Sequence, residues 1–330
     1  MSIILDAMGS DNYPIPEIEG AIMASEQLDI NIKLVGKREI ILEKLPSNFN
    51  DNKIEIIDAP DVVEMSDKPV EASRKKPNNS MAVGLRLIKE GKGKAFVTAG
   101  NTGGALFNAI SILKRIPGVQ RPALTAVFPT RKGKCVVLDI GANADCRPEF
   151  FAQFGMMGSI FSSKALGISN PRVALLSNGE EEGKGNQLIK DSKDLMANSG
   201  FNFIGNVEPK EVFAGETDVV VCDGFTGNVF LKTSEAIGKM MTDIIKEDIK
   251  AGIITSLGGL LVKPAFNRIK LMMDPSEVGA ARLLGVNGLV FIGHGRSNAT
   301  AIFNGIKAAN KDVQSNWIEE IQIAIESQVI

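Results

Sequence analysis

The chain has 330 residues, of which 37 are basic and 39 are acidic, so its formal net charge is −2 at pH 7. This length allows one large domain or two ordinary ones, with enough residues to bury a substantial core. The balanced charge and the scarcity of aromatic residues, with one Trp and one Tyr, argue against a surface that binds nucleic acid.

The N-terminal apolar run stops at Asp6 and follows no basic leader, so a secretory signal peptide is not expected. No apolar stretch approaches the roughly 20 residues that span a bilayer. The three cysteines form no close pair of the kind that binds metal, and they leave an odd thiol, which is typical of a reducing cytosol. We therefore expect a cytoplasmic protein that is not integral to a membrane.

The same construction recurs five times along the chain: a short apolar run, a glycine-rich turn that carries polar side chains, and a helix-like segment. In chain order these junctions span residues 95–104, 135–146, 173–186, 218–228 and 289–298. This alternation predicts an α/β fold with three layers, in which helices cover both faces of a large, mostly parallel mixed sheet. Ligands of such sheets bind beyond the carboxyl ends of the strands, so we expect the five turns to gather in one pocket. Glycine and asparagine also serve as plain turns and helix caps, which is the alternative interpretation of any single junction.

The third junction has the most unusual turn, because Glu180, Glu181 and Glu182 precede the run Gly183-Lys184-Gly185. A fold gains little from like charges in a flexible turn. A site for an anion, in contrast, needs a positioned cation and exposed backbone N–H groups. The turn therefore predicts an anion site, with a solvated acidic loop as the alternative.

No Pro- or Ser-rich linker and no low-complexity tract interrupts the chain, so residues 1–330 are predicted to form a single domain. The segment at about 245–280 is interpreted as an excursion from the main sheet. Within residues 253–273, one side of a helix would carry Leu257, Leu261, Ala265, Ile269 and Met272, and the other Lys263 and Lys270.

This amphipathic pattern suits a helix that lies in a lipid headgroup layer, with Leu257, Leu260 and Leu261 as the contact residues. It suits a dimerisation or core hairpin equally well. The excursion is therefore expected to contact either the membrane or a second subunit.

Several motifs together resemble the family of bacterial acyl-[acyl-carrier-protein]:phosphate acyltransferases. They lie at residues 6–11 (DAMGSD), 98–106, 138–159 (LDIGANADCRPEFFAQFGMMGS), 175–186, 203–207 (FIGNV), 219–235 (VVVCDGFTGNVFLKTSE) and 283–298 (LLGVNGLVFIGHGRSN). The resemblance spans nearly the whole chain in order. Two positions depart from the family pattern: Ser10 replaces a glycine, and residues 278–285 (VGAARLLG) lack the usual proline, which alters the backbone constraint there.

The resemblance implies an enzyme of phospholipid synthesis that converts an acyl-[acyl-carrier protein] and inorganic phosphate to acyl phosphate and the free carrier. It also implies a fold similar to isocitrate and isopropylmalate dehydrogenases and a homodimer. A membrane-bound glycerol-3-phosphate acyltransferase is the implied recipient of the product, and peripheral membrane contact would suit that transfer.

Within this reaction phosphate is itself the nucleophile, so no Ser-His-Asp arrangement is required, and His294 is the only histidine. Lys184 and Asn228 are the predicted catalytic residues, which would face one reacting carbonyl and stabilise its developing charge. The predicted phosphate- or substrate-binding residues are Asn101, Thr102, Gly103, Asn143, Gly183, Gly185, Gly227, His294 and Asn298. No cofactor and no essential metal are expected, because isolated Asp residues at strand ends more often cap helices.

Three basic clusters could dock an acidic carrier protein by electrostatic steering. They are Arg74-Lys75-Lys76, Lys92 with Lys94, and Arg131-Lys132-Lys134. Two other functions remain open from the sequence. An NAD(P)-dependent decarboxylating dehydrogenase would suit the fold, although no Gly-x-Gly-x-x-Gly fingerprint follows the first strand. A non-catalytic scaffold that binds the carrier would keep the basic clusters but has no need for five polar turns.

Overall fold

The computed structural model describes residues 2–46, 49, 52–273 and 275–328. The strands are β1 (Ser2–Asp6), β2 (Asn31–Gly36), β3 (Ile54–Asp58), β4 (Ala95–Thr98), β5 (Ala123–Thr130), β6 (Gly133–Leu138), β7 (Val173–Leu176), β8 (Phe203–Val207), β9 (Val219–Val221), β10 (Ala281–Leu284) and β11 (Leu289–Ile292). They form one sheet in the order β3-β2-β1-β4-β11-β10-β5-β6-β9-β7-β8.

Helices connect these strands. They are α1 (Ile15–Gln27), α2 (Arg38–Lys44), α3 (Pro69–Lys75), α4 (Ser80–Lys89), α5 (Thr102–Ile112), α6 (Pro148–Leu166), α7 (Gln187–Ala197), α8 (Pro209–Ala214), α9 (Gly224–Lys250), α10 (Ile253–Met273), α11 (Pro275–Val278), α12 (Ala299–Asp312) and α13 (Trp317–Gln328).

Side chains of each strand alternate between two hydrophobic cores, one on each face of the sheet. In β1, Ile3 and Leu5 belong to the core shared with α1, α6, α12 and α13. The intervening Ile4 belongs to the core shared with α3, α4, α5 and α8. Strands buried on both faces explain the continuous apolar runs of the sequence. The predicted α/β class with a large, mostly parallel mixed sheet is confirmed.

The strands run in two opposite directions. This corrects the expectation that all five glycine-rich turns lie at one edge of a parallel sheet. Strands β1 to β5 and β11 run in one direction and β6 to β10 in the other, because β10 and the β5–β6 hairpin reverse the chain. The register nevertheless brings both sets of carboxyl ends to one level. Phe291 pairs with Arg282, Arg282 with Thr125, Thr125 with Leu138, and Leu138 with Val221. The turns from the two strand sets therefore meet in the middle of the molecule.

The predicted excursion at about 245–280 coincides with the end of α9, α10 and α11. Helix α10 packs along α9: the Ser256 hydroxyl donates to the Ile249 carbonyl at 3.0 Å, and Gly259 allows close approach, since a Cβ there would overlap Ile249. Among the described residues, no helix combines the length and the apolar character needed to cross a bilayer.

A buried carboxyl group lies behind the turn after β1. Glu17 is fully buried and accepts a hydrogen bond from the Ser10 backbone N–H at 2.7 Å. Its second carboxyl oxygen and the Ser10 hydroxyl have no hydrogen-bond partner among the described residues. Burial, reinforced by the nearby Asp6 charge, raises the pKa of Glu17 to about 7 despite the hydrogen bond from the Ser10 backbone N–H.

Glu17→Gln is expected to remove a pH dependence of stability. Between about pH 4.5 and pH 7 the folded protein keeps a proton that the unfolded chain has lost, so the free energy of unfolding falls as pH rises through this window. The glutamine side chain cannot ionise. Over this window the free energy of unfolding of the variant should therefore fall by up to about 3 kcal/mol less than that of the wild type. Urea unfolding of both proteins at pH 5 and pH 8 checks this, because all other titrating groups cancel in the comparison. Equal pH slopes would contradict it.

Candidate functional site

A largely apolar cavity of about 830 Å³ opens where the two sets of carboxyl ends meet. We call it the apolar cavity. One wall is β5, which contributes Leu124, Ala126 and Phe128, and the opposite wall comes from α9 through Leu231 and Ile237. Strand β5 also joins the two oppositely directed strand sets. The volume and the apolar lining suit a site for an apolar ligand.

The apolar cavity also has polar lining residues, which are Thr102, Thr130, Arg131, Asn228, Lys232, Ser234, Glu235 and His294. Glu235 and His294 are in contact at the end where α9 approaches the turn after β11. Asn228 donates one amide hydrogen to the Ile140 carbonyl at 3.0 Å, which fixes its side chain. An amide nitrogen has two hydrogens, so one donor of Asn228 remains for a ligand.

Glu235 organises the cations at this end. Its carboxylate lies 3.3 Å from His294 Nε2, 2.8 Å from the Arg296 guanidinium and 3.4 Å from Lys232 Nζ. Burial alone would raise the pKa of Glu235, but the hydrogen bond and charge of His294 together with Lys232 and Arg296 lower it to about 2. Glu235 is thus ionised at neutral pH and orients His294 at the rim.

A second cavity of about 540 Å³ lies next to the first and shares Lys232, Glu235, Gly279 and His294 with it. We call it the basic groove. Its charged side chains are Lys232, Lys239, Lys246, Arg296, Glu235 and Asp243. Four cations against two carboxylates make it electropositive. The two cavities therefore meet at one polar junction, with apolar walls on one side and positive charge on the other.

The turn after β6 is built around the buried Asp139. Its carboxylate accepts hydrogen bonds from four backbone N–H groups and from the Asn143 side chain at 2.8 Å. Burial raises the pKa of Asp139, and these hydrogen bonds oppose that effect. Asn143 also donates to the Pro122 carbonyl at 2.8 Å. The amide donors of Asn143 thus hold the turn together, and its predicted contact with phosphate stays a prediction.

Asn101 and Asn298 cap helices, as the alternative interpretation of the junctions allows. Asn101 accepts from the Gly104 N–H at 3.0 Å at the start of α5, and Asn298 accepts from the Ala301 N–H at 2.9 Å at the start of α12. The Asn101 amide nitrogen is also shared among three backbone carbonyls. Thr102 lines the apolar cavity, and Gly103 packs against Pro69.

Gly224 and Gly227 let the first turn of α9 pack directly on the turn after β6. A Cβ at Gly224 would lie 2.6 Å from the Asn143 carbonyl oxygen, and one at Gly227 would overlap the Asp139 carbonyl. Asp223 caps the helix by accepting from the Thr226 N–H at 2.8 Å. Gly227 therefore has a packing role that positions Asn228, which lines the cavity, and its predicted role in binding stays a prediction.

Lys184 lies in the turn between β7 and α7 and does not line either cavity. Its strand, β7, pairs with β9, the strand before Asn228, so the two turns follow neighbouring strands about 4.8 Å apart. The Gly185 N–H donates to Asn178 at 3.0 Å, whereas the surroundings of Gly183 are open. Glu180 pairs with Lys210, and Lys184 has no ion-pair partner among the described residues.

Sequence reasoning missed Lys232, Glu235 and the apolar wall of β5. A readable signal existed for the first two: they follow Asn228 by four and seven residues, which places all three on one face of a helix. Within the described ranges, no three His, Cys, Asp or Glu side chains come together as a metal ion would require.

Comparisons with known proteins show which family the chain belongs to. The model of the fatty acid synthesis protein family matches residues 1–320. The phosphate acyltransferase of Elusimicrobium minutum is 45% identical over 98% of this chain and 95% of its own length. The phosphate acyltransferase of Desulfitobacterium hafniense is 46% identical, and the match covers 98% of this chain and 97% of that protein. In structure, the chain is similar to a phosphotransacetylase from Streptococcus pyogenes, with a TM-score of 0.62, 18% identity and 94% of each chain covered.

Proposed function

Because the chain belongs to the phosphate acyltransferase family of fatty acid synthesis proteins, we propose that it moves the acyl group of an acyl-[acyl-carrier protein] to inorganic phosphate. The protein is an acyltransferase; the carrier-linked substrate and a role in phospholipid synthesis are the proposal. The observation that carries it is an apolar cavity of about 830 Å³ whose lining includes the polar side chains of Asn228, His294 and Lys232. An acyl chain fits the apolar part and places its thioester at the polar end.

The chemistry needs few groups. A phosphate oxygen attacks the thioester carbon and forms a new C–O bond, while the carbonyl oxygen gains negative charge. The free amide hydrogen of Asn228 donates to this oxyanion. The C–S bond then breaks, and the sulfur leaves with the electron pair and takes a proton from His294 or from water. Acyl phosphate and a free thiol result.

The decisive assay incubates a purified acyl-[acyl-carrier protein] with and without inorganic phosphate and measures free thiol. Phosphate-dependent thiol release with matching acyl phosphate is expected. Release that does not depend on phosphate would contradict the proposal, and so would binding of the carrier without any turnover.

Lys184 is proposed to reach over from the neighbouring turn to the phosphate or the oxyanion. Its ammonium group is not engaged in an ion pair among the described residues, and Asn206 braces the turn by donating to the Glu181 carbonyl at 3.2 Å. A braced turn with an available cation is what anion binding requires.

Lys184→Ala is therefore expected to lower turnover at least about 100-fold, as for the loss of one transition-state donor, while the carrier protein still binds. Steady-state thiol release and a binding titration check this. Lys190→Ala, which removes an exposed lysine from α7, is the matched control. Activity within about threefold of wild type for Lys184→Ala would remove this residue from the mechanism.

The α9–α10 pair exposes apolar side chains in a way that supports the predicted surface contact. Leu257 and Leu261 are 61% and 85% exposed, and Ile254 is 85% exposed. The side chain of Leu260 lies outside the described residues. We propose that this surface rests on the inner face of the membrane, where the enzyme would hand acyl phosphate to a membrane-bound glycerol-3-phosphate acyltransferase.

Co-sedimentation with anionic liposomes tests this contact. The variant Leu257→Glu with Leu261→Glu is expected to lose binding, because charged side chains do not enter the apolar layer. Leu42→Glu, at another exposed leucine on α2, should bind like wild type. If the double variant binds liposomes equally but changes from dimer to monomer in sedimentation equilibrium, the surface joins two subunits of a homodimer instead.

A further inference from the structure

The basic groove follows one face of α9. Lys232, Lys239 and Lys246 line it at intervals of seven residues, which is two turns of a helix. At 1.5 Å per residue, the three ammonium groups are spread over about 20 Å of the helix. Arg296 and His294 extend this charge across the junction to the apolar cavity.

The carboxylates in the groove do not neutralise its cations. Asp243 pairs with Lys239 at 2.6 Å and reaches Lys246 only at 3.9 Å. Glu235 is shared among Lys232, Arg296 and His294. The side chains of Lys239 and Arg296 are 77% and 64% exposed, and those of Lys232 and Lys246 are 45% and 44% exposed, so an anionic ligand can displace water from the cations.

The length of the groove excludes inorganic phosphate as its sole occupant. The attacking phosphate must touch the thioester carbon, so it belongs at the shared junction beside Asn228 and His294. Lys239 and Lys246 lie about 10 and 20 Å farther along α9 than Lys232. A ligand that contacts them while its reacting end lies at the junction must be extended, flexible and negatively charged at its far end.

We propose that the basic groove binds the phosphate end of the pantetheine arm that carries the thioester. The acyl chain lies in the apolar cavity, the thioester lies at the junction, and the arm runs along α9 so that its phosphate meets Lys239 and Lys246. This inference rests on the proposed function, because the pantetheine arm and its phosphate are part of the substrate proposed there. The phosphate belongs either to a carrier protein or to coenzyme A.

The test compares four thioesters of one acyl group: acyl-pantetheine, acyl-phosphopantetheine, acyl-coenzyme A and the acyl-carrier protein. For the wild type, kcat/KM is expected to be about 10- to 100-fold higher for acyl-phosphopantetheine than for acyl-pantetheine, as for one or two charge-assisted hydrogen bonds. Lys239→Gln with Lys246→Gln should reduce this ratio to within about threefold and leave turnover of acyl-pantetheine unchanged. That unchanged turnover also shows that the variant is folded.

Two controls sharpen the result. Lys239→Arg with Lys246→Arg should restore the preference for phosphate, and Lys250→Gln, on the same helix but outside the groove, should keep the wild-type ratio. A loss with acyl-phosphopantetheine and the acyl-carrier protein but not with acyl-coenzyme A identifies the carrier protein as the source of the arm. An equal loss with all three identifies the phosphate that they share. A wild-type ratio near one, or an unchanged ratio in the glutamine variant, overturns the inference. Absence of any phosphate-dependent turnover by the wild type overturns the proposed function instead.

Discussion

Asn228→Ala is expected to lower kcat/KM about 100- to 1000-fold, the usual effect of removing one hydrogen-bond donor from an oxyanion site. One amide hydrogen is held by the Ile140 carbonyl at 3.0 Å, so the other is aimed in advance and needs no reorganisation when charge develops on the thioester oxygen. Initial rates of phosphate-dependent thiol release measure the effect.

A matched control is Asn198→Ala. Asn198 is also exposed, and its amide donates to a backbone carbonyl, that of Asp194, at 2.8 Å, but it lies at the end of α7, away from both cavities. Its removal should leave kcat/KM within about threefold. If both variants lose similar activity, or if Asn228→Ala unfolds the protein, Asn228 acts through structure and not on the reacting carbonyl.

Gly227→Ala is expected to destabilise the fold by at least about 3 kcal/mol, at the upper end of overpacking effects. A Cβ at this position would overlap the Asp139 carbonyl oxygen and approach Cys222 Sγ at 2.9 Å. Relief would require the first turn of α9 to move away from the turn after β6, since the overlapping atom is backbone. Urea unfolding monitored by circular dichroism measures the loss, and activity should fall with it because Asn228 would move too.

Gly183→Ala provides the comparison. A Cβ there meets nothing within 4 Å, so its stability should stay within about 0.5 kcal/mol of wild type. A similar stability for the two alanine variants would show that the approach of α9 to the Asp139 turn is not as close as the structure describes.

Much of the fold could be predicted from the sequence because its strands are buried on both faces. The five apolar runs singled out by their composition correspond to β4, β6, β7, β9 and β11. Strand β5 was not predicted from the sequence, because it contains Pro129 and proline is unusual inside a strand. Strand β10 has four residues and includes Arg282, whose charge is met by the buried Asp312 at 2.6 Å, a partner thirty positions away. Strand direction could not be predicted, because it depends on how β5 and β10 pair.

The site was predicted less completely than the fold. Asn228 and His294, which residue type and spacing predicted, line the apolar cavity, and their roles stay predictions. The same reasoning could not separate a glycine that approaches a ligand from one that packs against the protein. A Cβ at Gly227 would overlap the Asp139 carbonyl and one at Gly185 would overlap the Ile189 side chain, whereas one at Gly183 meets nothing. Nor could it separate an asparagine that binds a ligand from one that caps a helix, because both use the same atoms. That distinction depends on contacts between distant segments.

Strand β5 is a wall of the apolar cavity and also the seam between the two oppositely directed halves of the sheet. A substrate lodged against it touches both halves at once, and its binding free energy adds to the cohesion of the whole molecule. Selection for a different chain length would have to change residues such as Ala126 and Phe128 that also hold the halves together. Six of the eight residues of β5 line the cavity, so a substitution there that changes the room for a substrate also changes the packing between the two halves of the sheet.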